Sequence, residues 1–78
     1  MAYMSEEGYN KLVAELKHLE AVERPKIVAA IAEARDKGDL SENAEYHAAK
    51  RERGRNESRI RYLRNMIKTA RIIDVKAE

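Results

Sequence analysis

Cysteine, tryptophan and phenylalanine are all absent from this 78-residue chain. Without cysteine there is no disulfide framework and no thiolate metal site. The only histidines are His18 and His47, which argues against a zinc centre. The aromatic residues are four tyrosines, at 3, 9, 46 and 62. No apolar run approaches the ~20 residues of a membrane-spanning helix. The N-terminus lacks a basic start followed by an apolar core, so no signal peptide is expected. Together these absences point to a soluble, cytoplasmic protein with no membrane partner. Glycine and proline are also scarce, at Gly8, Gly38, Gly54 and Pro25, so the chain has few natural stops.

The formal net charge of +2 is unevenly spread. Residues 1–38 carry a net −1. Residues 39–49 hold Asp39, Glu42 and Glu45 and no base, and residues 50–78 carry a net +6. An acidic island followed by a basic segment suggests partners that carry cations or phosphate.

Between the few breakers the chain is rich in Ala, Leu, Glu, Lys and Arg, all good helix formers. A first helix is expected from Ser5 as N-cap, with Glu6 and Glu7 favoured in its first turn. Tyr9, Leu12, Leu16 and Leu19 form a heptad-like seam. Ile27, Ile31 and Ala34 continue it in a register shifted by one residue, with Pro25 near the slip. Proline lacks the amide donor and disfavours helical geometry at Arg24, so a kink or short break is predicted around 22–25. Pro25 would then restart the helix at its first position. Lys37-Gly38 is a stop signal. A second helix is predicted from 41–43 onward, with a seam at Ile60, Leu63, Ile67 and Ala70. The short connection makes the helices antiparallel neighbours. The fold class is therefore all-α: an antiparallel two-helix coiled-coil hairpin with arms of about 45 Å.

Arg71-Ile72-Ile73-Asp74-Val75 changes character and reads as a short strand or an exposed sticky end. No other segment looks like a partner for it, which suggests a piece of a longer protein. The expected division is a coiled-coil domain over 1–75 and a tail over 76–78 that begins a linker. A two-helix core is thin, and self-association would help it.

The hairpin tip, Gly38-Asp39-Leu40-Ser41-Glu42-Asn43-Ala44-Glu45-Tyr46, is the most informative stretch. Asp39 and Glu42 lie three apart at a helix start. They fit a capping box, or two carboxylates offered to a hard cation such as Mg²⁺.

These residues carry a resemblance. The chain resembles the N-terminal coiled-coil domain of bacterial transcript cleavage (transcription elongation) factors of the Gre family, GreA type. The likeness includes Met4-Ser5-Glu6-Glu7-Gly8-Tyr9, Glu23-Arg24-Pro25-Lys26-Ile27 and Ala29-Ala30-Ile31-Ala32-Glu33-Ala34-Arg35. It continues through the tip to Tyr46-His47-Ala48-Ala49 and closes on Ala70-Arg71-Ile72-Ile73-Asp74-Val75. The resemblance implies a domain that binds RNA polymerase and inserts through its secondary channel. The matching acids Asp39 and Glu42 would be the catalytic contribution, helping to hold a second Mg²⁺ in the polymerase active site, where backtracked RNA is cut at its 3′ end. Ser41, Asn43 and Tyr46 would support the tip, Ser41 either as a cap or as a contact to the polymerase or a phosphate. Tyr46 is expected to pack against the opposite helix near Ala34 rather than to stack on a base. His47 is a surface residue. The resemblance also implies a C-terminal domain beyond Val75 that docks on the polymerase.

The second arm holds seven bases over residues 50–64 against Glu52 and Glu57. By the same resemblance Arg51, Arg55 and Arg59 would face the nascent RNA; otherwise they form a solvated face. Counting back from Ile60, the seam should pass through Asn56 and Arg53. Arg55 and Asn56 stand where the family usually has apolar residues, and a polar middle weakens packing, sets register or lines a gap. Alternatives to the cleavage-factor role are a polymerase-inhibiting paralogue, an interaction or oligomerisation module, and a basic arm gripping RNA or DNA directly. The chain is not expected to be an enzyme, since two exposed carboxylates without a pocket or a nucleophile do not make an active site.

Overall fold

A computed structural model describes residues 2–38 and 43–74. Strand β1 (Ala2–Met4) leads into α1 (Glu6–His18), a π-helical turn (Leu19–Glu23) and α2 (Arg24–Asp36). Beyond the tip come α3 (Ala44–Thr69) and β2 (Ala70–Ile72). The two arms run antiparallel in a rod of 63 × 19 × 15 Å.

Helix α1 starts as its sequence dictates. The Ser5 hydroxyl accepts the Gly8 amide at 3.0 Å, with Glu6 and Glu7 in the first turn. Helix α2 ends at Asp36 with Lys37 as C-cap. Gly38 follows at φ 117°, a backbone conformation that costs glycine little and other residues more.

The slip in the seam has a specific structural form. The Arg24 amide donates to Leu19 O, five residues back. One residue is thereby inserted into the helix, and a one-residue insertion is what the shift from the Leu12–Leu16–Leu19 register to the Ile27–Ile31–Ala34 register requires. The irregularity expected near Pro25 is thus present as this π-helical turn, which starts at Leu19, overlaps the expected 22–25, and lets the helix continue through it. Arg24 stays helical at φ −58°, ψ −51°, and Pro25 is the second residue of α2 rather than its first. The wide turn just upstream accommodates the proline ring, which would otherwise press on the carbonyl four residues earlier.

The core is a narrow line. Ile27, Ile31 and Ala34 of α2 and Ala49, Ile60 and Leu63 of α3 are buried, and Leu63 is fully inaccessible. The α1 seam residues Tyr9, Leu12 and Leu16 are only half-buried. Asn56 sits in the seam as expected, whereas Arg53 is exposed. A long guanidinium side chain keeps its charge in water rather than incur the desolvation cost of an apolar seam.

The base of the rod corrects a second expectation. The C-terminal strand does have a partner: β1 and β2 pair in parallel, with Ala2 opposite Ala70, Tyr3 opposite Arg71 and Met4 opposite Ile72. The Ile73 amide adds a bond to Met4 O at 2.8 Å. Three residues before the Ser5 cap were too short a segment to read as a strand. Tyr3, Ile72 and Ile73 are at least half exposed at this end. No helix among the described residues is long and apolar enough to cross a membrane.

Candidate functional site

The tip is built by closing two helix ends on one side chain. Asn43 is the N-cap of α3, its Oδ1 accepting the Tyr46 amide at 3.1 Å. Its Nδ2 donates to Ala34 O at 2.6 Å, in the last turn of α2, where carbonyls run out of helical partners. The Lys37 amide bonds to the same oxygen at 3.2 Å. One carboxamide therefore satisfies an acceptor at the end of α2 and a donor at the start of α3. An ion pair between Lys37 Nζ and Glu45 at 2.9 Å spans the same gap. It raises the Lys37 pKa, chiefly through the hydrogen bond to Glu45.

Tyr46 is half-buried against Ile27, Ile31 and Ala49, so its ring packs on the opposite arm, one turn from Ala34. Lys50 Nζ lies 5.2 Å from the centre of that ring, and the His47 ring meets it edge-on at 5.6 Å. These contacts brace the first turns of α3. Asp39, Ser41 and Glu42 lie outside the described residues. They fall between Gly38 and Asn43, and the capping of α3 is carried by Asn43.

The basic arm separates into two groups. Arg59 is bidentate to Glu15 at 2.7 and 2.9 Å and stands 5.2 Å over the Tyr62 ring. Arg24 grips Glu57 at 2.9 and 2.8 Å, and Arg64 pairs with Glu20. These three pairs lace the arms together. The guanidinium bonds hold the Glu15 and Glu57 carboxyls below the usual carboxylate range. Arg51 and Arg55 are exposed and make no ion pair among the described residues. The sequence did not disclose this division. An Arg–Glu pair across a hairpin has no fixed sequence spacing, unlike an i,i+4 pair on one helix. No group of three or more His, Cys, Asp or Glu side chains able to hold a metal is found among the described residues.

Fold and site together define a class: an antiparallel helical hairpin whose two helix ends are bracketed by Asn43 at the end remote from its strand pair. The comparisons place it more narrowly. Residues 2–72 match the family described as "Transcription elongation factor, N-terminal", and the chain belongs to that family. It is 57% identical over 72 residues to "Transcription elongation factor GreA" of Rhodopseudomonas palustris (strain TIE-1), covering 92% of this chain and 46% of that protein. It is 60% identical over 68 residues to the protein of that name from Methylobacterium sp. (strain 4-46), covering 87% and 43%. With that of Syntrophotalea carbinolica it shares 60% over 70 residues, covering 90% and 44%. The chain thus spans less than half the length of these curated relatives.

Proposed function

We propose that this hairpin enters the secondary channel of RNA polymerase and presents Asp39 and Glu42 to the polymerase active site, stimulating the polymerase's own cleavage of backtracked RNA. The observation that carries the proposal is the Asn43 bracket. It fixes both ends of the loop holding the acids, at the far end of a narrow 63 Å rod. The end of α2 and the start of α3 are thus held together before this end of the rod meets a partner, which lowers the ordering cost of docking it.

The donor chemistry fits Mg²⁺. It is a hard cation that takes oxygen ligands in octahedral geometry and keeps several waters. Two carboxylates do not complete that shell, so the remaining ligands would come from the polymerase and from water. Asp39 would act as a ligand, and Glu42 as a second ligand or as the group that orients the attacking water. Mg²⁺ in this position supplies Lewis-acid stabilisation of the oxygens at the scissile phosphate. The chain's own task would be to carry the two acids to the polymerase active site at the end of the rod. Of the three arginines assigned to nascent RNA, Arg51 and Arg55 keep their charge available for phosphate. Arg59 is already committed to Glu15.

The test is transcript cleavage by a backtracked polymerase complex in Mg²⁺ buffer, comparing the chain with its Asp39→Ala/Glu42→Ala form over a wide concentration range. Cleavage is expected to rise with the chain and to fall by at least about tenfold in the double variant, the scale of losing one positioned electrostatic group. Equal cleavage by the two forms would refute the assignment.

A further inference from the structure

The insertion in the first arm is not held by that arm alone. Asn56 is buried in the seam, and its Nδ2 reaches Leu19 O at 3.4 Å, the carbonyl that already accepts the Arg24 amide. The next residue on α3, Glu57, grips the Arg24 side chain bidentately. Consecutive residues of α3 thus hold the two partners of the π-type hydrogen bond, one by its carbonyl and the other by its guanidinium. Across the turn, His18 Nε2 at the end of α1 and Glu23 meet at 3.3 Å. They are five residues apart and would stand about 140° apart around a regular α-helix.

The seam by itself does not determine where the extra residue goes. An insertion anywhere between Leu19 and Ile27 would let both flanking seams dock. Each site would bend the arm in a different direction and point the tip differently relative to the strand pair. A buried polar side chain in an apolar seam selects among such alternatives, because every other arrangement leaves it without a partner.

We infer that Asn56 is a positioning residue that pins the π-helical turn at Leu19–Glu23 and so sets the direction in which the hairpin carries its tip. Asn56→Leu removes the selection while keeping a side chain of similar size.

The experiment compares the wild-type chain with Asn56→Leu and Asn56→Ala by NMR of isotope-labelled protein. The readout is the through-hydrogen-bond coupling between the Arg24 nitrogen and the Leu19 carbonyl carbon, which distinguishes this turn from an α-helical one. Coupling is expected in the wild type. It is expected to be lost or replaced by a Glu23–Leu19 coupling in the variants, with helical circular dichroism retained. Undiminished Arg24–Leu19 coupling in either folded variant overturns the inference. So does loss of helix in both variants, which would make Asn56 a keystone of stability rather than of placement.

The consequence for the tip rests on the proposed function and has its own readout. In the variants the saturating cleavage rate should drop several-fold at an unchanged half-maximal concentration. Lost coupling with an unchanged saturating rate would overturn the positioning role. A wild-type chain that fails to stimulate cleavage would instead refute the function and leave the coupling to decide where the turn is pinned.

Discussion

Asn43 does two jobs with one carboxamide, and substitution can separate them. Asn43→Ala removes the N-cap of α3 and the donor to Ala34 O, and should cost about 1–2 kcal/mol of unfolding free energy. Asn43→Asp keeps a capping oxygen but has no N–H for Ala34, so its loss should be smaller; urea melts of the three forms check the order. The Arg–Glu pairs give a pH signature. Because Arg24 depresses the Glu57 carboxyl and Arg59 depresses Glu15, the stability they add is present above the unfolded carboxylate value of about 4. It is lost as pH falls through the lower folded values. Thermal melts from pH 7 down to about 2 should show that decline, and Glu57→Gln should flatten part of it. Parallel profiles for the two proteins would mean the pair adds nothing, as many exposed pairs do. At this scale the sequence was uneven as a guide. Ser5 and Gly38 could be read directly because capping and left-handed turns are local chemistry. Asn56 could be seen only as an anomaly, since its partner lies 37 positions away on the other arm.

At the scale of the element, hydrophobic periodicity was the strongest signal in the chain, and its one irregularity was real. The shift between Leu19 and Ile27 was visible without a structure. Proline is the usual reason for a disturbed helix, and Pro25 lies beside the shift. The count of residues between docked seam positions demands one extra residue between Leu19 and Ile27, and the structure takes it up just upstream of the proline, at Leu19–Glu23. Single-residue deletions test this. Deleting Ala21, inside the π-helical turn, brings both halves of the seam into one register on a regular α-helix and should leave the melting temperature close to wild type. Deleting Ala30 rotates Ile31 and Ala34 about 100° away from α3. That change should cost at least about 2–5 kcal/mol, the range for losing one buried aliphatic side chain. If the Ala21 deletion proved as damaging as the Ala30 deletion, the insertion would not be what reconciles the two registers.

Viewed as a whole, the rod is closed at both ends by different means: Asn43 and the Lys37–Glu45 pair at the tip, β1 and β2 at the base. A parallel pair of three-residue strands is too small to be stable alone. It persists because α1 and α3 deliver its strands side by side, and in return it holds the helix ends together where α1 has no buried residue. The sequence showed the β-branched end but not the closure, since the pairing joins residues 2–4 to 70–72 across nearly the whole chain. Contacts in such an elongated shape are mostly between facing segments, so stability should be graded along the axis rather than uniform. A chain ending at Thr69 puts this to the test by amide hydrogen exchange. Protection should fall in α1 and over residues 60–69, which lose the strand tether, while residues 27–36 and 49–56 stay near wild-type protection. Uniform loss would show that the hairpin unfolds as one cooperative unit. The tip bracket would then depend on the base for its order, rather than standing on the Ile27, Ile31 and Ala49 cluster beneath it.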